Sequence, residues 1–133
     1  MRLLLDTHIF LWSLLEPDRL GPTVVTEFED PDNELWISAI SAWETAILIE
    51  KERVVLATRE SPTAWVRKAI STSPLREAPV TTEIALMSRE IRASHQDPAE
   101  RFIAATAKVH DLVLVTADKN LLRLKSIQTM SNR

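Results

Sequence analysis

Apolar residues along the chain fall into two patterns. Short unbroken runs occur at Leu3-Leu4-Leu5, Leu35-Trp36-Ile37 and Leu112-Val113-Leu114-Val115. Runs of this length without polar alternation predict strands covered on both faces, as in a parallel sheet. Between them lie stretches with helical spacing or helix-start signals. Helices are predicted over 7–15, 22–29, 41–51, 62–71, 82–93 and 98–110, with a short one from Asp118. Pro22, Pro62 and Pro98 suit first helical turns, where a missing N–H costs nothing. Ala78-Pro79-Val80 is a weaker strand candidate, placed at an edge by its proline, and a last weak strand is expected near Ile127. Strands alternating with helices predict an α/β sheet flanked by helices.

Composition removes whole classes of chemistry. The 133 residues include no cysteine and one glycine, Gly21. Disulfide scaffolds, Cys-ligated zinc, iron–sulfur clusters and thiol nucleophiles are therefore excluded. So are the phosphate-cradling Walker A loop and the dinucleotide fingerprint, which need at least two glycines. No apolar run approaches the roughly 18 residues of a membrane span. The N-terminus breaks its apolar run at Asp6, unlike a signal peptide. A single domain over 1–133 and a cytoplasmic location are the resulting expectations.

In open α/β sheets, sites form beyond the carboxyl ends of strands. Asp6 directly follows the first run, and Asp118 follows the run ending at Thr116. Both also suit helix N-caps. Glu44 has Ile40, Ile47 and Leu48 as helical neighbours, an apolar setting that makes a lone carboxylate costly. Its rival role is a capping box with Ser41. Asp97-Pro98-Ala99-Glu100 is a good helix start in its own right, ahead of the small, apolar Ile103-Ala104-Ala105. Taken together, four segments deliver acids to one predicted sheet edge. Converging carboxylates repel unless a cation joins them, and hard oxygen ligands suit Mg²⁺ or Mn²⁺. That pattern favours metal-dependent chemistry on phosphate esters.

The same segments carry a family resemblance. Leu4-Leu5-Asp6-Thr7-His8, Ser38-Ala39-Ile40-Ser41-Ala42-Trp43-Glu44, His95-Gln96-Asp97-Pro98-Ala99-Glu100-Arg101 and Val115-Thr116-Ala117-Asp118 occur in the order found in PIN-domain ribonucleases. The chain resembles in particular the VapC-type toxins of toxin–antitoxin pairs. The resemblance implies a three-layer α/β/α sandwich around a central parallel sheet. It implies an Mg²⁺- or Mn²⁺-dependent endoribonuclease that cleaves RNA with metal-activated water. It also implies a cognate antitoxin and a homodimer. Asp6, Glu44 and Asp118 match its acidic positions, and Asp97 matches the local pattern. Glu100 stands where members usually carry Asp, one methylene shorter. Relatives often have Gly before a basic residue after the second acidic helix, whereas this chain has Lys51-Glu52-Arg53.

The remaining residues take supporting or structural roles. Thr7 and Thr116, beside the acids, are expected to hydrogen-bond a carboxylate or water. Arg101 is either an RNA phosphate contact or half of a surface salt bridge. His8, His95 and His110 lack zinc spacing; His8 is read as helix packing and His95 as part of a turn. Trp12, Trp36, Trp43 and Trp65 are read as core or dimer contacts. A metal-dependent phosphatase of the haloacid-dehalogenase type wants a second Asp two residues after Asp6, where this chain has His8. The sequence also admits a phosphoacceptor signalling domain or a catalytically degenerate module that binds RNA or protein. The net charge of -3 conceals an uneven distribution: residues 16–34 hold seven acids and one base. Without that segment and the five site acids, 15 bases face seven acids, so an RNA substrate is compatible with the charge.

Overall fold

In a computed structural model, residues 1–92 and 97–133 are described. Five strands form one sheet: β1 (Arg2–Leu5), β2 (Glu34–Ser38), β3 (Arg76–Ala78), β4 (Val113–Thr116) and β5 (Gln128–Ser131). Their order is β3-β2-β1-β4-β5, and every pairing is parallel. The helices are α1 (Thr7–Leu15), α2 (Pro22–Glu29), α3 (Ala39–Glu50), α4 (Pro62–Ser71), α5 (Thr82–Glu90), α6 (Pro98–Val109) and α7 (Lys119–Leu122), with a 3₁₀ turn at Pro17–Arg19. None is long and apolar enough to cross a membrane.

The unbroken apolar runs follow from two covered faces. Side chains alternate across a strand, so Leu4 and Leu114 join Ile84, Ile103 and Ala105 in one core. Leu3, Leu5 and Val115 join Ile9, Phe10, Val24 and Ala69 in the other. Helices α5 and α6 cover the first face; α1, α2 and α4 cover the second. This is the α/β/α sandwich that the resemblance implies.

Three boundaries depart from the sequence reading. Helix α3 starts at Ala39 rather than Ser41, because Ser38 caps it by accepting the Ile40 N–H. Strand β3 ends at Ala78, ahead of Pro79, and pairs through Arg76, Glu77 and Ala78. Helix α5 ends at Glu90; Ala93, the predicted end, lies outside the described residues. Trp43 is no core residue, being 57% exposed.

A chain with one glycine must close its helices with other residues. Beyond α3, Glu52 N–H donates to Ile49 O and Arg53 N–H to Leu48 O. Beyond α6, Asp111 N–H donates to Lys108 O and Leu112 N–H to Ala107 O. Both are Schellman closures, which usually place glycine at the left-handed position. Glu52 (φ 56°) and Asp111 (φ 54°) hold it here. Asp tolerates this region better than Glu. Glu52→Gly is therefore expected to stabilise the fold by about 1 kcal/mol, read as a higher urea midpoint at unchanged slope. Gly21 serves a different need, since a Cβ there would overlap the backbone of Arg133.

Candidate active site

With all strands parallel, their carboxyl ends share one edge, and β1 sits at the point where the strand order turns. Asp6 leaves β1 there. Its N–H donates to Val115 O across the β1–β4 pair at 3.0 Å. Its carboxylate caps α1 by accepting the Thr7 N–H at 2.8 Å, and accepts the Thr116 hydroxyl at 2.7 Å. Thr116 in turn accepts the Asp118 N–H at 3.0 Å. Asp6 and Asp118 are thus tied through one buried threonine. The helix cap and the site are two uses of the same carboxylate.

Glu44 lies one turn into α3. The helix begins five residues before it, so Ser41 and Glu44 are both interior and no capping box forms between them. Ser41 is instead fully buried and accepts the Thr7 hydroxyl at 3.0 Å. That hydroxyl also lies within hydrogen-bonding reach of Glu44; its single proton serves one of the two at a time. Thr7 therefore links α1 to the acidic face of α3.

On α6, Asp97 caps the helix by accepting the Glu100 N–H at 3.2 Å. On α7, Asp118 Oδ1 accepts the N–H groups of Asn120 and Leu121 at 2.7 and 3.2 Å. Glu100 and Asp118 are hydrogen-bonded to each other through their side chains. Two carboxyls so joined must hold a proton between them.

The electrostatics bring all five acids into one group. Burial pushes the Asp6 carboxyl up, against the hydrogen bonds from Thr116 and Thr7, and the Asp118 charge adds to the rise. Burial also raises Glu44, helped by Asp6 and Asp97 and opposed by Thr7 and His8. Glu100 is pushed up to about 8, first by burial, then by the hydrogen bond and charge of Asp118, then by Asp97 and Asp6. Each rise comes first from burial and then from neighbouring acids, so the charged forms lack solvent and counter-charge.

A hard divalent cation fits this donor set, which is carboxylate oxygen throughout. Among the described residues, no three acids or histidines yet surround a single point as a finished ligand shell. A cation would replace the proton between Glu100 and Asp118 and draw the side chains inward.

Thr7 and Thr116 hold the supporting positions expected of them. Arg101 does not hold either of the expected ones. It is buried, donating from Nε to Ser88 O at 2.9 Å and from Nη2 to Ile91 O at 2.8 Å. It fastens α6 to the carboxyl end of α5, where a cation complements the helix dipole. With its guanidinium buried on these carbonyls it is not placed as an RNA contact, and among the described residues it pairs with no surface carboxylate. Arg101→Lys cannot span both carbonyls and is expected to cost about 2–3 kcal/mol in chemical denaturation. His8 is exposed rather than packed, with its ring 6.1 Å from that of Trp12, and its charge opposes those of Asp6 and Glu44. His95 lies outside the described residues. The positioning role of Ser41 escapes sequence reasoning; its place three residues before Glu44 on an apolar helix is the available signal.

A family model described as the PIN domain matches residues 3–127. The chain belongs to the PIN-domain family. Among relatives, Ribonuclease VapC22 of Mycobacterium tuberculosis is 36% identical over 119 residues, covering 89% of this chain and 88% of the relative. This PIN domain is accordingly of the VapC kind. Its fold matches VapBC2 from Rickettsia felis, solved bound to a DNA fragment from their promoter, at TM-score 0.73 and 17% identity over 98% of both chains. DNA-bound VapBC from Salmonella typhimurium gives the same score at 18% identity, covering 100% of this PIN domain and 99% of that chain.

Proposed function

We propose that this chain is the toxin of a VapBC-type pair, an endoribonuclease that depends on Mg²⁺ or Mn²⁺. The observation that carries the reading is the grouping of Asp6, Glu44, Asp97, Glu100 and Asp118 at the turning point of a PIN-domain sheet, where burial first and neighbouring acids second raise the carboxyls of Asp6, Glu44 and Glu100. The name of the relative, a ribonuclease, supports the RNA substrate. The structural neighbours, VapBC complexes, support an antitoxin partner. A homodimer and a cytoplasmic location complete the proposal.

Bound there, one or two divalent ions would supply a water of lowered pKa and counter-charge for the phosphate oxygens. The residues of the chain do the rest. Thr116 and the Thr7 N–H fix the Asp6 carboxylate toward the sheet edge. Thr7 and Ser41 position the side of α3 that carries Glu44. Glu100 and Asp118, joined by a hydrogen bond, would give up the proton between them on holding a cation. Asp97 holds the first turn of α6 and adds negative charge.

Expression in a bacterium lacking the antitoxin tests the toxin reading. Growth arrest with fragmentation of cellular RNA is expected, relieved by Asp6→Asn at equal protein level. Arrest of equal strength by Asp6→Asn would refute the reading.

A further inference from the structure

We infer that Arg19, stacked on Trp12 at the margin of the acidic group, takes a phosphate of the RNA strand beside the cut. The inference rests on the ribonuclease reading above and adds the side chain that grips the substrate outside the reacting centre. A row of three side chains runs from the acids along the outer face of α1. His8 is exposed, and its charge reaches both Asp6 and Glu44. Trp12 follows one turn on, its ring 6.1 Å from the imidazole. The Arg19 guanidinium lies over that indole, with Cζ 4.1 Å from the ring centroid. At 1.5 Å per residue, Trp12 is about 9 Å along the helix from Asp6, a short step for an RNA strand.

Arg19 is also fixed from a second direction. Its carbonyl accepts the Asn132 side-chain N–H at 2.9 Å, and Asn132 Oδ1 accepts the Gly21 N–H at 2.8 Å. The Asn132 N–H donates to Thr116 O at 3.1 Å, and Thr116 is the residue whose hydroxyl holds Asp6. The backbone of Arg19 is therefore tied to the strand end that carries the site, while its side chain stays 56% exposed. The acids repel every phosphate that a metal ion does not shield, so a cation at their margin is where a flanking phosphate gains most. A guanidinium suits the task, because its N–H fork matches phosphate and the indole face holds its plane. Arg101, the sequence candidate for this role, is turned inward onto backbone carbonyls. Asp18 shares the turn of Arg19, and Glu16 pairs with it at 3.1 Å, both members of the pair well exposed. Such a pair is worth little, so exchanging Glu16 for phosphate costs little.

Cleavage kinetics on single-stranded RNA at several salt concentrations test the inference. Arg19→Gln is expected to raise KM about 5-fold, a larger change than in kcat, and to lower the slope of log KM against log salt by about 0.7, the loss of one phosphate contact. Arg19→Lys keeps the charge and should keep the slope. Glu16→Gln frees the guanidinium and should lower KM about 2-fold, the opposite of a general loss of structure. A neutral methylphosphonate, scanned through the positions flanking the mapped cut, should raise the wild-type KM at one position and cost Arg19→Gln nothing further there. An unchanged salt slope in Arg19→Gln, or losses that add at every position, would overturn the inference. So would a rise in KM for Glu16→Gln as well, which would make the pair a structural one. Unchanged kinetics with a shift of Arg19→Gln from dimer to monomer in sedimentation would assign the stack to contact between copies and overturn it too. Absence of any RNA cleavage by the wild type would overturn the ribonuclease reading and this inference with it. Cleavage indifferent to Arg19 would overturn this inference alone.

Discussion

Asp6→Asn is expected to abolish RNA cleavage and at the same time to raise the melting temperature of the metal-free protein. The two effects come from one property. Asp6 is the most buried of the acids, and burial pushes its carboxyl up from 3.8. A group whose pKa is raised on folding lends its stability below the unfolded value and loses it as pH rises through the folded one. Once ionised, Asp6 thus counts against the metal-free fold. Asn keeps the shape, removes the charge and gives up one of two accepted hydrogen bonds. A gain of about 3 °C at pH 8 is expected in metal-free buffer. In millimolar Mn²⁺ the ranking reverses. The wild type is stabilised by ligand binding, by about 2–3 kcal/mol at a hundredfold excess over Kd, and Asp6→Asn is not. Loss of cleavage on the order of 10²-fold or more follows from removing the ligand that anchors the site. Differential scanning calorimetry with and without Mn²⁺ reads both halves. A melting temperature that responds to Mn²⁺ equally in both proteins would remove Asp6 from the metal site.

The second large effect is a pH dependence centred on Glu100. Its carboxyl rises from 4.5 to about 8 in the fold. The folded chain therefore binds more protons than the unfolded chain between these values, so metal-free stability falls as pH climbs through that window. Metal affinity runs the other way. The proton held between Glu100 and Asp118 must leave before both can ligate, so affinity for Mn²⁺ should rise steeply up to about pH 8 and level off above it. Cleavage at limiting metal follows the same profile. Glu100→Gln removes the acidic partner and should flatten both curves while lowering affinity about 10- to 100-fold. Titration calorimetry in buffers of different ionisation heat would show proton release on Mn²⁺ binding by the wild type and its loss in Glu100→Gln. An unchanged profile in Glu100→Gln would place the titrating group elsewhere.

The sheet was legible because burial on both faces leaves a simple signature. Leu3-Leu4-Leu5 splits its side chains between two cores, so no polar position interrupts it. The acids proposed for the site stood out for the same reason. Asp6 and Asp118 follow such runs, and Glu44 sits among apolar neighbours where a charge needs a purpose. Details that depend on partners distant in sequence were not legible. Arg101 takes its role from two carbonyls of α5 and its carboxyl end, 13 and 10 residues away. Ser41 takes its from Thr7, 34 residues away. Local patterning also misled where the cap lay elsewhere: Ser38, not Ser41, starts α3. Apolar neighbours suggest a core or dimer contact for Trp43, and its 57% exposure removes only the first of these. The absence of glycine at Glu52 proved compatible with the usual closure of the helix, held by a strained residue in its place.

The central claim is that these five acids cut RNA with a divalent ion. The most direct measurement incubates end-labelled single-stranded RNA with the purified, antitoxin-free protein in Mg²⁺ or Mn²⁺ and in EDTA, beside Asp6→Asn and Glu100→Gln. Discrete internal cuts with metal, none in EDTA, and strong loss in both variants are expected. Cleavage that persists in EDTA, or that Asp6→Asn performs as well as the wild type, would contradict the claim.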